Sequence, residues 1–538
     1  PQEGGWNNPP AQEYYFDLYR DAGFDVVHVP VRWDEHTSRT APYTVNASCM
    51  DRVEEVVDWG LSMDLFIVIN ANHEEWIKAN YSNPAYRARF DSIWSQIATR
   101  FKDKPEKLLF EIINEPKGLT QAQNNELHER VLGIIRLTNP TRNVIIQGHE
   151  WGGSDQLVTM AITDYEYLIG SFHSYDPWPF GLEGTGTFGS TYQLQELEKK
   201  FIKVNQWSED TGIPVFLGEF ACNRKADYNS RMKHYRAYIN FSIKYGFTPC
   251  AWDDGGNFGC MLRTAKSWNE IKDILIYCDP GSPSISRLSI EQDTLVKIQW
   301  SNGSGGQESL SVQRKTEWGA FFTIATLGAD STSYTDSTAE RNKDLYYRIV
   351  AHHPQERITH SHPLFIHMPA YVPMVRSCFL GVPHQVPGTV EAEDFDKGGE
   401  GLSYHDMDSR NIAGAYRPDE GVDIYSLAGD QFHVGNALPG EWYEYTVDVE
   451  KEGDYLVEVH CAALTPGGRF LISVGDVVSD TLVVQASGSW LETSPNFFPL
   501  SLTEGEQIMR FTVIDQPQYN IDKMVFSLDV TGMAKERQ

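Results

Sequence analysis

Cysteine is sparse in this chain and follows no pattern. Seven cysteines in 538 residues, at 49, 222, 250, 260, 278, 378 and 461, are odd in number and show no CxxC or Cys/His spacing. That argues against a zinc site and a disulfide framework, and leaves small, buried apolar side chains as the plain reading. Long hydrophobic runs are missing too: nothing approaches the roughly 20 apolar residues of a membrane-spanning helix. Positive charge is short, with 45 Lys and Arg against 74 Asp and Glu for a net −29. Like charge repels a polyanion, so nucleic acid is not an expected partner and a neutral polymer fits better. An initiator Met and a signal-peptide pattern are also absent, and Pro1 stands in a loop-like stretch. The expectation is a chain whose start, with any export signal, precedes Pro1.

What is present is ample core material, 41% hydrophobic residues and 14 tryptophans, on a length that suits about three domains. From residue 11 to 278 strands and helices alternate. Helical spacing covers 11–22, 52–61, 86–101, 126–137, 192–207, 229–245 and 268–277. Apolar runs at 24–30, 65–71, 108–113, 143–147, 167–173, 214–218 and 248–252 read as strands. Such alternation builds a parallel sheet, and its length suits a (β/α)8 barrel. Only seven strands are found, so the first is expected before Pro1, since an open barrel leaves two hydrogen-bonding edges. The turn-rich stretch 279–284 ends this block. Short alternating runs then read as about seven strands of an immunoglobulin-like β-sandwich over 285–368. After the irregular 369–387 comes a third, β-rich block over 388–530, expected as a jelly-roll sandwich.

Two apolar strands end on a glutamate: Leu108–Ile113 runs into Asn114-Glu115-Pro116, and Pro214–Gly218 into Glu219-Phe220. Taken alone, such a glutamate is a solvated strand end. In a parallel barrel, however, the C-terminal strand ends share one mouth, so Glu115 and Glu219 can face each other there. Two carboxylates flanking one bond are what glycoside hydrolysis needs.

The first block, 1–279, resembles glycoside hydrolase family 5, the cellulase-type barrels. The residues that carry the likeness come in the family's order: Gly23–Trp33, Asn114-Glu115-Pro116, His173-Ser174-Tyr175, Gly218-Glu219-Phe220 and Ala251-Trp252, with 150–153 and 224–227 as in the bacterial endoglucanases. Even Pro1–Asn7 is similar to the loop after the family's first strand. The resemblance implies a retaining mechanism without a catalytic cofactor. Glu219 is then the nucleophile and Glu115 the acid/base, about 5–5.5 Å apart, with burial and Glu219 raising the pKa of Glu115. Asn114 is expected on the sugar 2-hydroxyl, Tyr175 on Glu219, His173 beside the acid/base and Trp252 under the sugar, while Trp178 is a candidate for a neighbouring sugar. Two positions depart from the pattern. His28 stands where the family has the arginine that holds the nucleophile, and Asn72, followed by His73, stands where it has histidine. Both replacements are polar and can still donate or accept, so altered specificity or pH behaviour is expected.

The middle block looks like a fibronectin type III domain, with Trp300 inside and Tyr346–Ala351 as a late strand, and reads as a spacer. The last resembles carbohydrate-binding module family 6 through Val390–Asp396, Pro439–Tyr445 and Tyr519–Asp522. That likeness implies a structural calcium on Glu391, Glu393 and Asp522, hard oxygen ligands of the kind calcium takes, and a sugar cleft on Phe432, Trp490 and Asn520.

Together these imply a secreted, cell-surface or periplasmic polysaccharide hydrolase, expected as a monomer, with an endo-β-1,4-glucanase leading. Hydrolysis of mannan, xylan or β-1,3-glucan is the alternative among enzymes, and a non-catalytic glycan-binding protein the alternative outside them.

Overall fold

The computed structural model describes residues 3–4, 8–163, 166–303, 305–317, 319–370, 374–407 and 411–528. The likeness expected at Pro1–Asn7 falls, apart from residues 3 and 4, outside them. Two compact units are present, 1–370 and 371–538.

Seven parallel strands pair in chain order in the first unit. They are β1 (Val26–Val29), β2 (Phe66–Asn70), β3 (Leu108–Glu111), β4 (Val144–Gln147), β5 (Leu168–His173), β6 (Val215–Phe220) and β7 (Thr248–Ala251). Burial on both faces, by the barrel interior and by the helices, explains their near-continuous apolar runs. Register is parallel throughout, as in Val26↔Phe66 to Val29↔Ile69 between β1 and β2. The barrel is nearly closed: β1 and β7 are not paired with each other, and a cavity of about 770 Å³ is lined by residues of both, including Val26, His28, Cys250 and Trp252.

The helices begin and end on local signals. Thr120 with Gln123 and Ser190 with Gln193 form capping boxes ahead of Gln121–Arg136 and Thr191–Thr211, each satisfying two otherwise orphaned backbone donors. Gly212 and Gly246 stop their helices in the left-handed conformation, which a side chain disfavours. One apolar core joins helices to strands around Trp94, Phe90, Phe110, Phe172 and Phe201.

Eight strands follow, in a three-stranded sheet (284–291, 295–301, 333–336) and a five-stranded one (309–316, 322–328, 343–352, 358–360, 364–368). They enclose a core of their own with Trp300 and Tyr347 inside. This sandwich is docked on the barrel within the same unit. Asn229, in the helix Tyr228–Tyr245, donates to Phe365 O at 3.0 Å and accepts from Phe365 N at 2.6 Å. Arg236, on the same helix, donates to Ser282 O at 2.9 Å and meets His362 Nδ1 at 3.2 Å. Lys315 pairs with Glu270 at 3.2 Å, and Arg348 pairs with Asp273. A free spacer would make none of these contacts.

The second unit is a two-sheet β-sandwich, its long strands Trp442–Val449, Gly453–Ala462, Ser494–Leu502, Gly505–Asp515 and Asn520–Leu528 closing over Tyr443, Tyr445, Phe470 and Phe511.

Candidate active site

The C-terminal ends of β3, β5 and β6 deliver the central groups. Glu219 lies inside β6, its side chain 9% exposed, and Glu115 lies four residues past β3, its side chain 23% exposed. His173, the last residue of β5, puts Nδ1 2.9 Å from Glu115 Oε1 and 3.5 Å from Glu219 Oε2. Tyr175 OH donates to Glu219 Oε2 at 2.9 Å. An oxygen of each carboxylate and a ring nitrogen of His173 all lie within 4.8 Å of one another. That is on the short side expected of a retaining pair; inverting carboxyls stand about 6.5–9.5 Å apart.

The electrostatics follow from burial. Glu219 is pushed up from the ordinary glutamate range, chiefly by burial and also by Glu115, while the His173 charge works against that. Burial disfavours a cation at His173, yet attraction to Glu219, Glu115 and Glu111 wins and holds its pKa at about 9. A protonated imidazole cannot ligate a metal, so this trio reads as a proton-sharing set. Tyr175 is pushed well up by burial and by Glu219, which keeps its hydroxyl a donor.

The remaining expected residues lie in or just after β1, β2, β3, β5 and β7. The Asn114 and Asn72 side chains are buried, and the Oδ1 of each lacks a hydrogen-bond partner among the described residues, whereas their backbone N–H groups donate to Ala71 O at 3.0 Å and Val31 O at 2.8 Å. His73 follows in left-handed backbone at φ 54°, and burial pushes its pKa down. Trp252 begins just past β7, its N–H donating to Phe220 O at 3.0 Å. Trp178, 52% exposed, opens the short helix Trp178–Gly181. His28 does not reach the nucleophile as the family's arginine was expected to. Its Nε2 sits 2.9 Å from Glu111 Oε2, because imidazole is shorter than an arginine side chain and finds the nearer carboxylate.

Three groups escaped the sequence reading. Gln147, last in β4 and fully buried, accepts the Glu115 N–H at 2.5 Å and so fixes the backbone of Glu115, which is left-handed at φ 45°. Glu111 looked like one more residue of an apolar strand. Trp151, in the 150–153 stretch that resembles the bacterial endoglucanases, is 48% exposed, with Lys117 Nζ 3.9 Å above its ring. For Gln147 the nearest sequence signal is the glycine pair 152–153: with a Cβ, Gly152 would stand 2.5 Å from the Gln147 side chain.

In the second unit Glu391 pairs with Lys523 across the sheet, which brings it beside Asp522. Glu393 is buried, and its Oε2 has no hydrogen-bond partner among the described residues. Burial, then Glu391, Asp394 and Asp522, push its pKa to about 8. Uncompensated buried carboxylates of this kind fit a hard dication. Among the described residues, however, only Glu115, His173 and Glu219 bring ligand atoms within 4.8 Å of one another, so the Glu391, Glu393 and Asp522 oxygens are spread wider. Asn520 Nδ2 donates to Trp490 O at 3.2 Å, and Trp490 is 39% exposed. Phe432 packs against Tyr416 with the rings tilted by 42° and their centroids 4.6 Å apart.

Comparison with known proteins agrees with this geometry. Residues 2–257 match the family model "Cellulase (glycosyl hydrolase family 5)", and residues 413–528 match "Carbohydrate binding module (family 6)". Endoglucanase H of Acetivibrio thermocellus is 46% identical over 270 residues, covering 50% of this chain and 30% of that protein. Endoglucanase A of Clostridium longisporum is 29% identical over 51% of this chain and 59% of that one. Endoglucanase 1 of Ruminococcus albus is 31% identical over 48% of this chain and 69% of that protein. The chain thus spans under two thirds of the first two relatives. Among the described residues no helix is long and apolar enough to cross a membrane. With a barrel mouth that pairs two glutamates through a histidine and a tyrosine, and with that extent of likeness to the Ruminococcus albus protein, the chain belongs to the cellulase family, glycosyl hydrolase family 5.

Proposed function

We propose that this protein is a retaining endo-β-1,4-glucanase, acting on cellulose or mixed-linkage β-glucan. The observation that carries the reading is the short Glu115–His173–Glu219 arrangement with Tyr175 on Glu219. In the first step Glu219 attacks the anomeric carbon while Glu115 gives its proton to the departing glycosidic oxygen. In the second, Glu115 takes a proton from water, the water oxygen attacks the anomeric carbon, and Glu219 leaves. His173 stands between the two carboxylates, 2.9 Å from Glu115 and 3.5 Å from Glu219. Asn114 and Asn72, each with an idle amide oxygen, are the groups for sugar hydroxyls, with Trp252 and Trp178 as stacking surfaces and His73 at the rim.

The remaining assignments belong to the same reading. The catalytic barrel occupies 1–279, a fibronectin type III-like sandwich 285–368 and the glycan-binding module 388–530, whose last two residues lie outside the described ones. In the module Phe432, Trp490 and Asn520 bind sugar, and Glu391, Glu393 and Asp522 hold a structural calcium that neutralises their buried charge. Binding by the module raises the effective concentration of polymer at the barrel. An insoluble polymer cannot enter a cell, so the enzyme acts as a secreted or surface protein, as a monomer.

The test is reducing-end release from cellulose, mixed-linkage β-glucan, mannan and xylan, comparing wild type with Glu219→Gln. Release from the β-glucans that is lost in the variant is the expected result. Intact binding with no release from any polymer would leave a glycan-binding protein instead.

A further inference from the structure

Glu111 stands four residues before Glu115, at the end of β3, and is fully buried. Its Oε2 lies 2.9 Å from His28 Nε2 and accepts from Asn70 Nδ2 at 2.8 Å. Its Oε1 has no hydrogen-bond partner among the described residues. A buried carboxylate with one idle oxygen is costly, and a protein keeps one where it has a task or a compensating charge. Here the compensation is specific. Burial opposes ionisation, but His28 and then His173 attract the charge and hold the Glu111 carboxyl below the ordinary range. His173 is the ring that touches Glu115 and faces Glu219. Imidazole and carboxylate thus alternate from His28 to Glu111 to His173 to the Glu115–Glu219 pair.

We propose that Glu111 is a positioning residue for the carboxylate pair: a buried negative charge that anchors His28 by a hydrogen bond, attracts His173, and so sets the pH window in which the pair works. It touches no reacting atom. The proposal rests on the hydrolase reading of the pair and adds a residue to it.

The groups acting on Glu111 come from several neighbouring elements. β1 supplies His28, β2 the neutral Asn70 and β5 His173. His128, from the helix Gln121–Arg136, is held neutral by burial with a pKa of about 4. Cys250, from β7, is likewise kept a thiol, pushed up to about 12. His173 is thus the proton carrier that couples Glu111 to both glutamates.

The sign of the effect is fixed. Removing a buried anion makes every neighbouring proton easier to lose, so all coupled groups titrate at lower pH. In Glu111→Gln, both limbs of the kcat/KM profile on a soluble mixed-linkage β-glucan should move toward acid, by about one pH unit as an order of magnitude. Glu111→Asp, which keeps the charge on a shorter stem, should restore the wild-type limbs even if its rate is lower. A purely structural role predicts otherwise: an equal fall in kcat/KM at every pH, with both limbs in place, would overturn the proposal, as would an acid shift of the same size in the Asp variant. If wild type releases no reducing ends, the hydrolase reading fails separately. The imidazole of His173, followed by NMR in wild type and in the Asp and Gln variants, then decides: a lower midpoint in Gln alone supports the role of Glu111, and an unchanged midpoint refutes it. The wild-type and Asp pair also cover the case in which the Gln variant does not fold, since a displaced midpoint in the charge-keeping Asp protein would contradict the proposal and a kept one would support it.

Discussion

The acids at the barrel mouth and those of the second unit are compensated differently. At the barrel mouth, Glu111, Glu115 and Glu219 are interleaved with His28 and His173, so the protein supplies the opposing charge itself, in a form that exchanges protons. In the second unit, Glu391, Glu393, Asp394 and Asp522 crowd one another. The basic side chains within 4 Å of Asp522 there are His433 at 3.8 Å, whose pKa burial pushes down, and Lys523 at 3.6 Å. Among the described residues, no imidazole lies within 4 Å of two of those carboxylates as His173 does of Glu115 and Glu219. The first arrangement suits proton transfer and the second suits a bound dication, which separates chemistry from scaffolding without reference to either family.

The largest way to break this comparison is at the mouth. Glu219→Gln removes the proposed nucleophile while keeping its shape, and kcat should fall by roughly 10⁴-fold or more, measured as reducing ends released; a fall under tenfold would place the nucleophile elsewhere. Next comes the dication. Without calcium, Glu393, raised from 4.5 to about 8, favours the folded state when protonated. Its stabilising effect is full below about pH 4.5 and is lost as pH rises through 8. In a chelator the second unit should therefore unfold at a lower temperature at pH 8 than at pH 5, and millimolar calcium should erase that difference in a calorimetric scan. An unfolding temperature unmoved by calcium at pH 8 would sink the metal reading.

His173 gives a pH dependence of the same sign in the barrel. Its folded pKa is raised from 6.5 to about 9, so its contribution to barrel stability is complete below pH 6.5 and disappears as pH passes 9. His173→Gln should flatten the barrel's unfolding temperature between pH 7 and 9.5, and an unchanged slope would show that other groups cause it. The smallest effect belongs to the docked sandwich. Asn229→Ala removes both hydrogen bonds to Phe365 and should cost about 1–3 kcal/mol in denaturant unfolding of the first unit. A change within error would mean that the sandwich adds nothing to the barrel.

Particular residues show how far the sequence could be read. Glu115 and Glu219 were legible because each interrupts an apolar run at a strand end, and the strand–helix alternation placed those ends together. The end of β3 was less clear: Ile112 and Ile113 extend the apolar run, yet β3 stops at Glu111, since the chain turns there into the left-handed backbone of Glu115. Glu111 and Gln147 were invisible because their roles lie in cross-strand partners 83 and 32 residues away, which no local pattern encodes. His28 was noticed as a departure, but the carboxylate it would choose depended on side-chain reach. The docking of the sandwich was equally hidden, since Asn229 and Phe365 lie 136 residues apart.

The central claim is that Glu115 and Glu219 act as a retaining pair, and the direct test is the configuration of the first product. Proton NMR of a cello-oligosaccharide digest, recorded before mutarotation, should show the new reducing end appearing first as the β-anomer. An initial α-anomer would mean inversion, and would contradict the assignment of Glu219 as nucleophile.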